Sequence, residues 1–279
     1  MTTSSLPVYD SSQTRTPLLT EFRNFIAYRG LIRLLVVRDL TTRYKRSVLG
    51  VWWTLLNPLL TTAILFLVFG IVIGSRFGET TEPYVLYLLS GVIMMTFFTQ
   101  GFLATGTAIT GASSILSKVY VPAEVFAFST AISAAVNFLI TMTALLVVQL
   151  AVGVGVPWTM LLTPVPILGM LALVTGLGLV LASAAVYFFD VLDLTRVLVQ
   201  LLYYMTPVFW TLDILPERFQ PFMKANPLFA YLEMFRDLAY RGTMPETWMW
   251  VMVVGTAVGF LGLGVWMFGK TWKTLVSQL

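Results

Sequence analysis

The stretch LTTRYKRSVLGVWWTLLNP, residues 40–58, joins the most cationic part of the chain to its first long apolar run. Val37, Leu40, Tyr44 and Val48 are spaced by three, four and four residues, so on a helix they share one face. Arg38, Asp39, Thr41, Thr42, Arg43, Lys45 and Arg46 fill the rest of the circumference. A short helix with an apolar stripe and a cationic back lies in a membrane surface, apolar side down. From Val51 no charge appears until Arg76, room for a helix to cross roughly 30 Å of hydrocarbon at about 1.5 Å per residue. The two parts read as one unbroken arm-into-span unit.

Composition agrees with a chain dissolved in lipid. Of its 279 residues, 58% are hydrophobic and 11% charged, where soluble domains carry roughly a quarter charged residues. Several spans with short loops account for the length and leave no room for a separate soluble catalytic domain. Cysteine and histidine are both absent. That removes disulfides, thiolate metal sites, the usual general base and the commonest metal ligand. No nucleic-acid partner is expected. The polar N-terminus lacks the short apolar core of a cleaved signal peptide, so the first span is expected to be retained.

The expected architecture is all-α and membrane-integral. Residues 1–20 form a loose tail, 21–48 the amphipathic interface arm and 49–279 six transmembrane helices. The spans fall near 51–74, 84–111, 123–152, 160–188, 194–210 and 248–269. Gly70 and Gly74 make a small-residue pair that lets another helix approach. Pro122 is placed to stop one helix and start the next, and Pro164 and Pro166 to bend the fourth span. Between the fifth and sixth spans, LFAYLEMFRDLAYRG is too short and too charged to cross; it is expected in the outer interface or dipping back into the protein.

Six spans put both termini on one side, and the charges say which. That side holds twelve of the seventeen basic residues, eight of them before the first span. The opposite face holds five, among loops that also carry seven acids. The positive-inside rule makes the twelve-charge side cytoplasmic.

Most candidate chemistry fails on context. Gly264-Val-Trp-Met-Phe-Gly269-Lys270-Thr271 satisfies G-x-x-x-x-G-K-[ST], yet it follows a membrane span and only eight residues come after it. A phosphate-binding loop needs a strand before it and a nucleotide fold around it, so Lys270 is read as closing the sixth span. Asp190, Asp193 and Arg196 read as a headgroup-zone turn with an i,i+3 ion pair rather than a metal site. No ionisable residue lies mid-membrane in the first, second, fourth or sixth span, and the third offers Asn137 and Gln149, assigned to interhelical hydrogen bonds. Nothing there couples transport to an ion gradient, so energy for uphill movement must enter from another chain.

Aromatic residues make up 14% of the chain. Trp52, Trp53, Tyr84, Trp248 and Trp250 suit an interfacial belt. Tyr203 and Tyr204 sit deeper, and Tyr203, Pro207 and Trp210 share a face if the helix continues through them. Flat rings with hydroxyls suit sugars, and plain helix packing explains them equally well. The aromatic residues considered for a substrate pathway are Tyr44, Trp52, Trp53, Tyr87, Tyr203, Tyr204, Phe209 and Trp210.

Three stretches resemble the membrane subunits of type-2 ABC exporters of polysaccharides, the O-antigen, teichoic-acid and galactan exporters. They are RDLTTRYKRSVLGVWWTLLNPLL from Arg38, LSKVYVPAEVF from Leu116, and the run from Gln200 to Gly242. Two departures are Ala123 where the family's coupling loop commonly has Arg, and Phe189 where an Arg commonly precedes Asp190. The resemblance implies a homodimer, each copy bound to a separate ATPase subunit that holds ATP and magnesium, with no cofactor in this chain. Ser114, Leu116, Ser117, Lys118, Val119 and Tyr120 would dock that ATPase, together with the arm. Arg38, Arg43, Lys45 and Arg46 would attract the diphosphate of a polyprenyl-linked glycan among the membrane lipids, and nothing covalent would happen here. Two alternatives are an exporter of a small lipophile or drug and a membrane-embedded glycosyl- or phosphotransferase.

Overall fold

The computed structural model describes residues 28–45, 47–72, 83–112, 116, 121–185, 187–188 and 190–278, with side chains through 271. Arg46, Gly74, Ser114, Ser117, Lys118, Val119 and Tyr120 lie outside the described residues.

The arm is a helix, α1 (Arg29–Tyr44). The first span, α2 (Trp52–Leu65), widens into a π-helical turn over Phe66–Val72. Then come α3 (Tyr84–Gly111), α4 (Glu124–Ala151), α5 (Pro164–Ala185, preceded by a 3-10 turn, Trp158–Leu162) and α6 (Asp190–Met205). Short turns lead to α7 (Gln220–Lys224), α8 (Pro227–Arg236, extended by a π turn, Asp237–Arg241) and α9 (Thr247–Gln278). The described residues form no strand, and five helices are long and apolar enough to cross a membrane.

Helix α3 is the axis of the bundle. It packs on α2, α4, α5, α6 and α8, and so is apolar all round rather than on one stripe. Helices α5 and α9 make the most extensive pair because their backbones touch. A Cβ added at Gly176 would lie 2.3 Å from the Phe260 carbonyl carbon and oxygen, and one at Gly264 would lie 2.3 Å from the Gly176 carbonyl oxygen. Gly264 opens the phosphate-loop-like string, which is therefore a helix-packing element inside α9. That helix runs on to Gln278, so Lys270 does not end it; its Nζ sits 3.9 Å from the centre of the Trp266 ring.

Four expectations change. Arm and span are not continuous: α1 stops at Tyr44, and the chain bends through Gly50, whose φ of +50° favours glycine, before α2 begins. The arm's buried residues are Ile32 and Leu35, which pack with Ala112, Val125 and Phe126, whereas Val37 and Val48 are exposed. Pro164 starts α5 instead of bending it, as expected where the first turn has no use for an N–H. The fifth apolar run becomes a 16-residue helix, about 24 Å long, and residues 206–210 are non-helical, so Tyr203, Pro207 and Trp210 do not share a helix face. Even so, α6 links the two ends of the bundle. It starts just after α5, whose Gly178 and Leu181 meet Thr105 and Gly106 near the α3 C-terminus, and the break after it is bonded to Tyr84 and Tyr87 at the α3 N-terminus.

Candidate functional site

Two polar constructions stand at opposite ends of the bundle. At the arm end, α1, α2, α3 and α4 enclose a cavity of about 310 Å³. Tyr44, the last residue of α1, reaches into it and donates its hydroxyl hydrogen to Asn137 Oδ1 at 2.8 Å, while Thr54 Oγ1 is hydrogen-bonded to the same tyrosine oxygen. Asn137 is 8% exposed and its Nδ2 has no partner. Spacing explains the polar wall. Thr130, Ala134, Asn137 and Thr141 follow one another at four, three and four residues along α4, and Thr96 and Gln100 stand one turn apart on α3. Arg43 brings the only charge among the lining residues. Trp53 and Pro58 of α2 and Phe97 of α3 supply apolar wall.

At the far end, α8 is buried against α3 and α5, which places LFAYLEMFRDLAYRG inside the protein. Asn226 starts it: its Oδ1 accepts from Leu228 N at 3.0 Å, and its Nδ2 donates to Thr206 Oγ1 at 3.2 Å. Arg236 is fully buried. It donates to the carbonyls of Pro207 (3.1 Å), Tyr87 (3.0 Å) and Val208 (3.3 Å), and to Glu233 Oε1 at 2.7 Å. Its guanidinium carbon lies 3.5 Å from the centre of the Tyr87 ring. Arg241 pairs with Glu233 and, at 3.0 Å, with Asp237. Burial alone would raise the Glu233 carboxyl, but Arg236 and Arg241 outweigh it and hold the group below the usual carboxylate range. For Asp237 burial prevails and the carboxyl is raised.

The aromatic residues read from the sequence therefore fall into separate groups. Tyr44 and Trp53 line the arm-end cavity, with Trp52 beside them and 66% exposed. Tyr87 is 2% exposed; its hydroxyl donates to the carbonyls of Pro207 (3.0 Å) and Trp210 (2.6 Å), so it fastens the break after α6 to α3. Tyr203, Tyr204 and Phe209 form a third group at the far end, where Phe209 stacks on Phe69 of the α2 π turn at 5.2 Å. Arg38, Arg43 and Lys45 are exposed along the end of the arm. Leu116 is half-buried and packs against the arm's apolar cluster, tying the α3–α4 connection to α1. Sequence reading passed over Gln100, Thr130 and Asn57 as wall residues and counted Arg236 and Arg241 as loop charges. The four-residue polar spacing on α3 and α4 was the available signal for the first set. For Arg236 the i,i+3 spacing to Glu233 was the only signal, because its other named partners are backbone carbonyls.

A bundle of long apolar helices, a cationic arm clamped to its side and a buried segment at the far end define a membrane-embedded helical protein. The family model for ABC-2 type transporters matches residues 30–240, and the chain belongs to that family. Among curated proteins it is 29% identical over 226 residues to an O-antigen export system permease protein RfbA of Myxococcus xanthus, covering 80% of this chain and 85% of that one. It is 25% identical over 241 residues to a protein of the same name from Klebsiella pneumoniae, covering 84% and 91%.

Proposed function

We propose that this chain is the transmembrane subunit of an exporter that moves a lipid-linked polysaccharide from the cytoplasmic to the outer face of the plasma membrane. ATP and magnesium act on a separate ATPase subunit, two copies of this chain pair, and both termini face the cytoplasm. The observation that carries this reading is the arm. It presents Arg38, Arg43 and Lys45 to solvent at one end of the bundle and is clamped to the third span by Tyr44 and Asn137. Such a part can take force from a subunit docked on the arm and the α3–α4 connection, and it can attract a diphosphate from the inner leaflet. The relatives' names support a polysaccharide cargo. The exposed apolar faces of α2 and its π turn (Leu60, Ile64, Leu67, Ile71) and of α6 (Leu194, Val197, Leu201, Tyr204), both helices leaning on α3, support a second copy across a path between them.

Depleting the chain in its own cells tests this reading. Lipid-linked glycan should accumulate in the membrane fraction while surface polysaccharide falls. Normal surface polysaccharide with no accumulation contradicts it.

A further inference from the structure

The arm-end cavity lies within one subunit, and its walls have the character of a ligand site. The 20-residue apolar segment Trp52–Ile71 is about 30 Å long, the thickness of the hydrocarbon, so its first turns mark one edge of the bilayer. Thr54 and Asn57 stand there, and so, through the Tyr44 bond, does Asn137. Helices α3 and α4, 28 residues each and about 42 Å long, project beyond that edge beside the arm. The cavity thus lies level with the first turns of α2 and halfway along α3 and α4.

Its chemistry is cationic: among the described lining residues there is no carboxylate, Arg43 stands in the wall, and the Ser47 hydroxyl and Gln100 amide border the space. An amide N–H₂ group buried without a partner costs about 1–3 kcal/mol and calls for an acceptor. Asn137 Nδ2 is such a group, in a space of about 310 Å³ that is far larger than the ~30 Å³ of one water. The Trp53, Pro58 and Phe97 wall leaves that ligand an apolar part to bury.

We infer that this cavity binds the phosphate group of a membrane lipid, with Arg43 and Asn137 Nδ2 donating to its oxygens and the start of an acyl or prenyl chain lying along Trp53, Pro58 and Phe97. The bound phosphate bridges arm to bundle. The inference rests on the proposed placement of the arm at the inner leaflet. Two lipids carry the chemistry: a resident anionic phospholipid, and the diphosphate of the cargo.

The purified permease–ATPase pair, stripped of lipid in detergent, is titrated with chain-brominated phosphatidylglycerol or phosphatidylcholine. Trp53 quenching is isolated by subtracting the Trp53→Phe variant. Saturable quenching is expected from phosphatidylglycerol at a midpoint about tenfold lower than from phosphatidylcholine, and Arg43→Gln and Asn137→Leu should each raise that midpoint severalfold. Arg43 is exposed, so its variant carries the test even where Asn137→Leu fails to fold. Displacement by undecaprenyl diphosphate at lower concentration assigns the site to the cargo lipid; resistance to it assigns the site to phospholipid. Equal midpoints for the two phospholipids, unchanged midpoints in Arg43→Gln, or displacement by inorganic phosphate alone would overturn the inference. A pair that binds phosphatidylglycerol but moves no glycan counts against the exporter reading alone; a working exporter without this binding counts against the site alone.

Discussion

Tyr44 is where the end of the arm meets the membrane part, and a single hydroxyl makes the polar connection there. Tyr44→Phe keeps the ring and loses the bonds to Asn137 and Thr54, which should cost on the order of 1 kcal/mol in local stability. The expected result is faster amide exchange through residues 29–45 with little change in overall melting temperature. Unchanged exchange would mean that apolar packing of Ile32 and Leu35 alone holds the arm. The proposed role of the neighbouring cations is attraction. Replacing Arg43, Lys45 and Arg46 together by Gln should lower lipid-stimulated ATP turnover of the reconstituted pair severalfold, with weaker dependence on salt than the parent shows; unchanged turnover would show that the arm does not read the diphosphate. At this scale the sequence was half readable. The charges and Tyr44 could be named from pattern, but the role of Asn137 depends on a partner 93 positions away in the chain.

The elements differ in how strictly they are held. Gly264→Leu drives a side chain into the Gly176 backbone, where nothing can rotate aside, and should cost about 3 kcal/mol or more. Gly262→Leu, on the same helix with nothing within 4 Å, is the control and should melt near the parent temperature. Equal melting of the two variants would refute the close α5–α9 approach. At the far end, Arg236→Met leaves Glu233 with Arg241 alone and takes a donor from the carbonyls of Tyr87, Pro207 and Val208, a loss of about 3–5 kcal/mol. Limited proteolysis between α6 and α8 should then become much faster; resistance like that of the parent would show the segment held by apolar burial. The long spans were evident from hydropathy because twenty apolar residues have few other uses. The end of α6 had one signal, Pro207, whose ring cannot continue a helix; residues 206–210 stay mostly apolar after it stops, and the tyrosine and arginine bonds that hold the break come from distant elements.

The whole molecule has a well-packed part, α3, α4, α5 and α8, and a thinly covered half with α2 and α6, many of whose apolar side chains are exposed. A second copy set against that half would form a two-fold contact. Because the chain has no native cysteine, single cysteines placed along α2 and α6 report it directly. A position on the axis should give an oxidised dimer, whereas Leu139→Cys on the outer side of α4 should stay monomeric. The reverse pattern would move the interface. The proposed function comes down to work supplied from outside the chain. Its most direct test is vesicles holding this chain with or without its ATPase partner, loaded with lipid-linked glycan on the ATPase side. Glycan should reach the opposite face only when both chains and ATP are present. Movement of the glycan, or hydrolysis of nucleotide, by this chain alone would contradict the account.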